Sequence, residues 1–386
     1  MIGGVVDFQT GESQGLQKRR IAGFSHEGSI AQIAKKRNFP YVDSMESPHD
    51  LAALPKIELH EHLDGSLRLE TVLELASSSN VVLPTTDPVT LAGMLAPGPS
   101  SLEIYLKAFD ITVSVMQTET ALRRVAFELV EDWALDGVVY GEVRFAPSQH
   151  TRGGLSPEQV VESVLKGLEE GRKTFGVETG LILCSMRHEP PSLTTVRLVD
   201  RYRDDGVVAF DIAGAETPFP PRIHREAFDY CAEHFLSATC HAGEVTGPDY
   251  IREALVACRS LRIGHGTQLI QEWGAEGVVP GKGSVTRWLL DRRIPLEVCL
   301  SSNLQTKACS TLADHPFERF RRAGLAVTLN TDNRLISKTT LSRELELAAQ
   351  TWSLSRAVLL HLEKTSLEAA FCSAETKTRI QTKYFL

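Results

Sequence analysis

The sequence contains no apolar run approaching the roughly 20 residues that a membrane-spanning helix requires, so no membrane is expected as a partner. It has no excess of positive charge either. Its 41 Lys and Arg against 49 Asp and Glu leave a formal charge of −8, which argues against nucleic acid or another polyanion as the main ligand. No Gly-x-Gly-x-x-Gly turn follows the first apolar run, which removes the main cue for a dinucleotide-binding fold. The seven cysteines (Cys184, Cys231, Cys240, Cys258, Cys299, Cys309 and Cys372) lack paired short spacings. They are expected to be free thiols, mostly small core residues, in a reducing, cytoplasmic compartment. No apolar segment of signal-peptide type opens the chain. Residues 1–44 instead mix Gly, Ser and Gln with the clusters Lys18-Arg19-Arg20 and Lys35-Lys36-Arg37, while Asp7, Glu12 and Glu27 make the stretch too acidic for a transit peptide. The expectation is a flexible N-terminal extension over 1–52, or a gene start placed upstream of Met45, followed by one folded unit over 53–386.

What is present is a regular alternation. Strand candidates lie at 57–62, 138–145, 181–186, 207–213, 237–241, 261–265, 295–300 and 326–331. Amphipathic stretches such as 120–136, 157–174, 193–204 and 224–235 separate them. Eight near-continuous apolar strands spaced by helices imply a parallel sheet covered by helices, and eight units favour closure into a single (β/α)8 TIM-type barrel. The long segments 80–101 and 266–294 exceed simple connectors and are expected to add lid helices or loops at the C-terminal face. A helix over 102–109 would bring Leu102, Tyr105, Leu106 and Phe109 to one face, as core packing or as a pocket wall with Leu106 and Phe109 against a ligand.

The chemistry falls at the ends of those strands. His60-Glu61-His62, His241-Ala242-Gly243-Glu244, Gly264-His265-Gly266 and Thr331-Asp332-Asn333 each follow an apolar run, on the face where barrel enzymes build their sites. Histidines at i and i+2 on a strand point the same way, and Cys240, beside His241, points away. Three imidazoles, His60, His62 and His241, with the carboxylate of Asp332, suit one Zn2+ per chain and leave room for a water. Zinc lowers the pKa of water it binds from roughly 15.7 to 7. Glu244, three residues past a ligand, suits a proton shuttle; the competing explanation is a carboxylate drawn to a helix N-terminus by its dipole. His265, between two glycines, would orient the attacking water, with a metal-bridging role as the alternative. Many barrel hydrolases use two metals bridged by a modified lysine on the fourth strand. Residues 207–214 contain no lysine, which favours one metal.

The run Leu54-Pro55-Lys56-Ile57-Glu58-Leu59-His60-Glu61-His62-Leu63-Asp64-Gly65-Ser66 resembles the opening motif of the adenosine deaminase family. Ser185-Met186-Arg187-His188, Asp211-Ile212-Ala213-Gly214, His241-Ala242-Gly243-Glu244, Gly264-His265-Gly266 and Leu329-Asn330-Thr331-Asp332 match its later blocks in order. The resemblance covers Leu54 to the C-terminus. It implies a zinc-dependent hydrolase that converts adenosine, and 2′-deoxyadenosine, to the inosine product and ammonia in purine salvage. Carried over by position, Glu244 protonates purine N1 while His265 and Asp332 direct the activated water onto C6. His62 also lies at the substrate, Gly214 N–H meets purine N3, and Asp64 accepts from the ribose 5′-hydroxyl. Ser66 is either a substrate contact or a cap of the following helix.

One position departs from the pattern: Asn333 stands where much of the family has a second aspartate. The resemblance places it at purine N7, an acceptor, to which an asparagine amide donates at any pH; completing a turn after the eighth strand is the alternative. Competing substrates are adenine, AMP, N6-methyl-AMP and larger adenosine derivatives. Asp64 favours a ribose-bearing substrate, because adenine-specific relatives tend to have glutamate there. For a phosphate, Arg68 and Arg152 are the candidate cations. A catalytically weak nucleoside-binding relative would have lost a ligand or Glu244, and none is lost. The His-x-Glu and Pro-Cys-x-x-Cys pattern of nucleic-acid deaminases is absent. The sequence leaves the oligomeric state open.

Overall fold

The computed structural model describes residues 51–386 except Pro97, Pro191, Ala275 and Glu276, so the expected N-terminal extension lies almost wholly outside the described residues. Eight strands follow in order: β1 (Lys56–His62), β2 (Val138–Phe145), β3 (Glu178–Met186), β4 (Val207–Ala213), β5 (Thr239–Ala242), β6 (Arg262–His265), β7 (Leu296–Val298) and β8 (Val327–Leu329). All pairings are parallel, in two sheets ordered β1-β2-β3-β4 and β5-β6-β7-β8. One isolated parallel bridge lies at each seam, Phe210 with Ala238 and Glu61 with Asp332. At the second seam His62 N donates to Asp332 O at 2.7 Å and Asp332 N donates to His60 O at 2.8 Å. The first and last strands of the expected TIM-type barrel therefore meet at the candidate ligands.

Helices form where periodicity and caps agree. The helix Pro157–Phe175 starts at a reciprocal box between Ser156 and Gln159, with proline in its first turn, and ends at Gly176 in the left-handed region. Such caps contribute about 1 kcal/mol each. Its apolar stripe (Val160, Val161, Val164, Leu168) is buried, as are Leu122, Val125, Leu129 and Trp133 of the neighbouring helix Glu119–Asp136. Among the described residues no helix is long and apolar enough to cross a membrane, and all seven cysteines are free thiols, five of them buried. Cys240 lies in the core, as strand alternation requires.

The long segments carry helices as well as loops. Segment 80–101 contains the helix Pro88–Leu95, capped by Asp87, and 266–294 contains the 3-10 turn Thr267–Trp273 and the helix Val285–Arg292. The stripe at 102–109 divides at Lys107 into the helices Leu102–Leu106 and Ala108–Val115. β7 is three residues long because the chain turns at Cys299 into the helix Leu300–Gln305.

Alternation sorts β1 into two faces. Ile57 and Leu59 pack on Leu367, Ala370, Ile380 and Phe385, while Glu58, His60 and His62 point inward. The interior beneath the histidines is ionic rather than apolar. Glu142 pairs with Arg262 at 2.6 Å, Arg262 with Glu297 at 2.6 Å, Glu297 with Arg144 at 2.9 Å and Arg144 with Asp211 at 2.7 Å. Each of these groups is buried, and an unpaired ion there would cost several kcal/mol.

Candidate metal centre and active site

One ligand atom from each of His60, His62, His241 and Asp332 falls within 4.8 Å of the others. His62 Nε2 and His241 Nε2 face each other at 3.2 Å, and Asp332 Oδ1 lies 3.4 Å from both His60 Nε2 and His62 Nε2. His60 Nε2 is buried without a hydrogen-bond partner. Buried lone pairs converging on one point with no donor between them fit a cation. Burial also favours the neutral, ligating form of two of the imidazoles: His62 is pushed down to about 3, with neighbouring His241 and His60 adding to the effect, and His241 is lowered as well. Burial works the other way on Asp332, but the surrounding imidazoles, His60 first, hold its carboxyl well below the usual range.

The remaining ring nitrogens are fixed from below. Glu297 Oε2 lies 2.7 Å from His60 Nδ1, and Asp211 Oδ2 lies 2.9 Å from His241 Nδ1. Both carboxylates are held in the anionic form, against burial, by Arg144 and their histidines. These two carboxylates fix ring orientation and raise ligand basicity. Gly264 lets this packing close, since a Cβ there would lie 3.1 Å from His60 Cε1 and 3.0 Å from His241 Cα. Sequence reasoning assigned no role to Glu297 or Arg144 and quoted Asp211 only within a motif. The available signal was a charge at an inward position of an otherwise apolar strand.

Glu244 is buried beside this cluster, but not on a helix. It sits among bends ahead of the helix Pro248–Val256, which removes the helix-dipole explanation. Thr306 Oγ1 donates to its Oε1 at 2.7 Å, and its Oε2 lies 3.7 Å from His265 Nε2. Burial, then the charge of Asp332, pushes its carboxyl up to about 8. Burial thus favours the protonated form of Glu244. His265 and Asp332 both adopt left-handed backbone, φ +63° and +60°. Such strain in non-glycine residues concentrates at functional positions. Asn303 Nδ2 lies 3.2 Å from His265 Nδ1, and Ser302 Oγ donates to Asp332 Oδ2 at 2.5 Å. Ser302, Asn303 and Thr306 come from the helix and turn after β7, just beyond the strand expected over 295–300, and the sequence assigned them no role.

Asp64 is buried with Oδ1 unpartnered and its Oδ2 3.7 Å from His150 Nε2. Gly214 follows β4 directly at φ +102°. Phe109 reaches the centre, its ring 6.3 Å from that of His62, and is half-buried like Leu106. Tyr105 is buried, and its hydroxyl accepts from Asn333 Nδ2 at 2.9 Å. Asn333 Oδ1 is buried without a partner, and its side chain makes no cap. Ser66 does not cap the next helix, which begins after Arg68; its Oγ accepts from Arg334 N at 3.1 Å, bracing the chain after β8. Arg68 is committed to Asp132 and Glu131, and Arg152 is exposed.

An eight-stranded parallel barrel with a His3Asp cluster and a buried acid at its C-terminal strand ends defines the class of metal-dependent barrel hydrolases. The family profile described as adenosine deaminase matches residues 55–384. Adenosine deaminase 1 of Streptomyces coelicolor is 46% identical over 79% of this chain and 79% of its own length. Adenosine deaminase of Mycobacterium avium is 42% identical over 87% of this chain and 96% of its own. The crystal structure of adenine deaminase from Arthrobacter aurescens superposes with a TM-score of 0.78 at 26% identity, covering 86% of this chain and 98% of that one. The chain belongs to the adenosine deaminase family.

Proposed function

We propose that this protein hydrolyses adenosine, and 2′-deoxyadenosine, to inosine or 2′-deoxyinosine and ammonia, using one zinc ion held by His60, His62, His241 and Asp332. The observation that carries the reading is the convergence of four ligand atoms with the buried carboxyl of Glu244 beside them. Bound there, zinc supplies a nucleophilic water at neutral pH. Glu244 hands its proton to purine N1, which draws electrons from C6 and opens that carbon to attack. His265, neutral with its Nδ1 accepting from Asn303 Nδ2, keeps its proton on Nε2, donates from there to the incoming water and aims it with Asp332. Gly214 N–H engages N3, and Asp64 accepts from the ribose 5′-hydroxyl through its free oxygen. Leu106 and Phe109 wall the base, with His62 beneath it. Seven free thiols support a reducing, cytoplasmic setting.

A nucleoside rather than a nucleotide is favoured because Arg68 is already paired with carboxylates. Ammonia release compared across adenosine, deoxyadenosine, adenine, AMP and N6-methyl-AMP tests this. We expect adenosine to exceed adenine and AMP by at least about 100-fold in kcat/KM, corresponding to nearly 3 kcal/mol of transition-state binding. AMP as the best substrate would overturn the assignment.

Asn333 supplies the hydrogen bond to N7. In the structure the amide donates to the Tyr105 hydroxyl and its oxygen lies against Gly65, so a bond to N7 requires the amide nitrogen to turn from Tyr105 to the base. Replacing N7 by carbon should cost the wild type about 1–3 kcal/mol but the Asn333→Ala variant far less. Equal penalties in kcat/KM would mean that Asn333 does not touch N7. Ser66 remains a positioning group behind Asn333, through its bond to Arg334 N.

A further inference from the structure

The backbone that carries Glu244 has no regular structure of its own. Residues 243–246 form a run of bends between β5 and the helix Pro248–Val256. Such backbone must find its hydrogen bonds elsewhere, and it finds most of them on one side chain. Glu216, only 2% exposed, lies in the loop after β4. Its Oε1 accepts from Gly243 N at 2.6 Å. Its Oε2 accepts from Val245 N, Thr246 N and Thr246 Oγ1, each at 2.8 Å. These donors flank Glu244 on both sides in sequence. The rest of the turn is tied as well: Arg187 Nη2 donates to His241 O, Gln268 N to Gly243 O at 2.7 Å and Gln268 Nε2 to Glu244 O at 3.2 Å. Gly243 adopts φ +75°, and a Cβ there would lie 2.5 Å from Ile251 Cδ1, so the turn admits no larger residue.

We propose that Glu216 is the positioning residue for the proton donor, a carboxylate template that fixes the 243–246 backbone and so aims Glu244 at the substrate ring. The proposal rests on the reading of Glu244 as proton donor. An ionised carboxylate is an acceptor at both oxygens, which is what four donors arriving from one loop demand. Glutamine offers one oxygen; its amide nitrogen must face either Gly243 N–H or the three donors on the other side. The charge of Glu216 has a second consequence, since it also favours the protonated form of Glu244. Among the described residues the side-chain hydrogen bonds of Glu216 go to this loop, so its effect on chemistry is exerted through Glu244.

Glu216→Gln is expected to lower kcat about 10–100-fold, the scale of a misplacement of about 1 Å in a reacting group. KM for adenosine should change less than about threefold and zinc content should stay at the wild-type level, because the ligand set and base pocket are untouched. Hydrogen exchange at amides 243–246 should accelerate. In the Glu244→Gln background the same substitution should add less than about threefold, since no proton remains to be aimed. Wild-type kcat in Glu216→Gln, or penalties that multiply in the double variant, would overturn the positioning role while leaving Glu244 as donor. Normal turnover in Glu244→Gln alone would instead overturn the donor reading, and this proposal with it. If Glu216→Gln does not fold, Glu216→Asp is read the same way: it keeps the charge but falls one methylene short of its donors. A kcat loss beyond about fivefold at unchanged KM supports the role, and an unchanged kcat sinks it.

Discussion

Glu244→Gln should lose about 10²–10⁴-fold in kcat while keeping its full metal content, the range for removing a general acid–base group. The two halves of this result separate the acid from the ligands. Glu244 lies outside the four-atom cluster, and Thr306 can still donate to the glutamine oxygen, so the side chain stays in place without a transferable proton. The pH profile adds an independent readout. A carboxyl raised to about 8 is protonated below that value and loses its proton above it, so rate should fall as pH rises through the folded value. A cation bound nearby favours the carboxylate, which moves this limb toward lower pH. The glutamine variant should lack the limb altogether. Near-normal turnover in Glu244→Gln would mean that another group supplies the proton.

The pattern of elements was legible because each of its causes is local. β2 and β4 have the bounds expected from their apolar runs, 138–145 and 207–213, and the helices Glu119–Asp136 and Pro157–Phe175 differ from expectation by one residue each. The misjudged places are those where tertiary geometry overrides the run. The apolar stretch 295–300 reads as one strand, yet Cys299-Leu300 begins a helix that delivers Ser302, Asn303 and Thr306 to Asp332, His265 and Glu244. The stripe at 102–109 has helical spacing throughout but breaks at Lys107, so Tyr105 turns to Asn333 while Phe109 turns to His62. The first ring of the site was visible because histidines at strand ends are conspicuous. The ring behind it was not: Glu297, Arg144 and Glu216 act through partners 27 to 237 positions away in sequence, and spacing carries no trace of such pairs.

Chelation should abolish activity, and zinc added back at one equivalent per chain should restore it. The proposal places one ion on the four-ligand set, and β4 offers no lysine for a second. His241→Ala should cost most of the bound metal and all measurable turnover, because it removes one of the three nitrogens and leaves Asp211 facing a cavity. The more informative variant is Asp211→Asn. Asp211 touches no ligand atom of the site directly; it acts on the far nitrogen of His241 and is itself held by Arg144. Replacing such a partner typically weakens metal binding about 10–100-fold. Asp211→Asn should therefore release zinc to a competing chelator at correspondingly lower chelator concentration, yet regain most of its kcat when zinc is supplied in excess. Glu244→Gln should show the opposite behaviour, tight zinc and no rescue. Two tightly held metals per chain would sink the mononuclear reading. An Asp211→Asn protein with wild-type zinc affinity would show that the buried ion network beneath the histidines serves the barrel and not the metal.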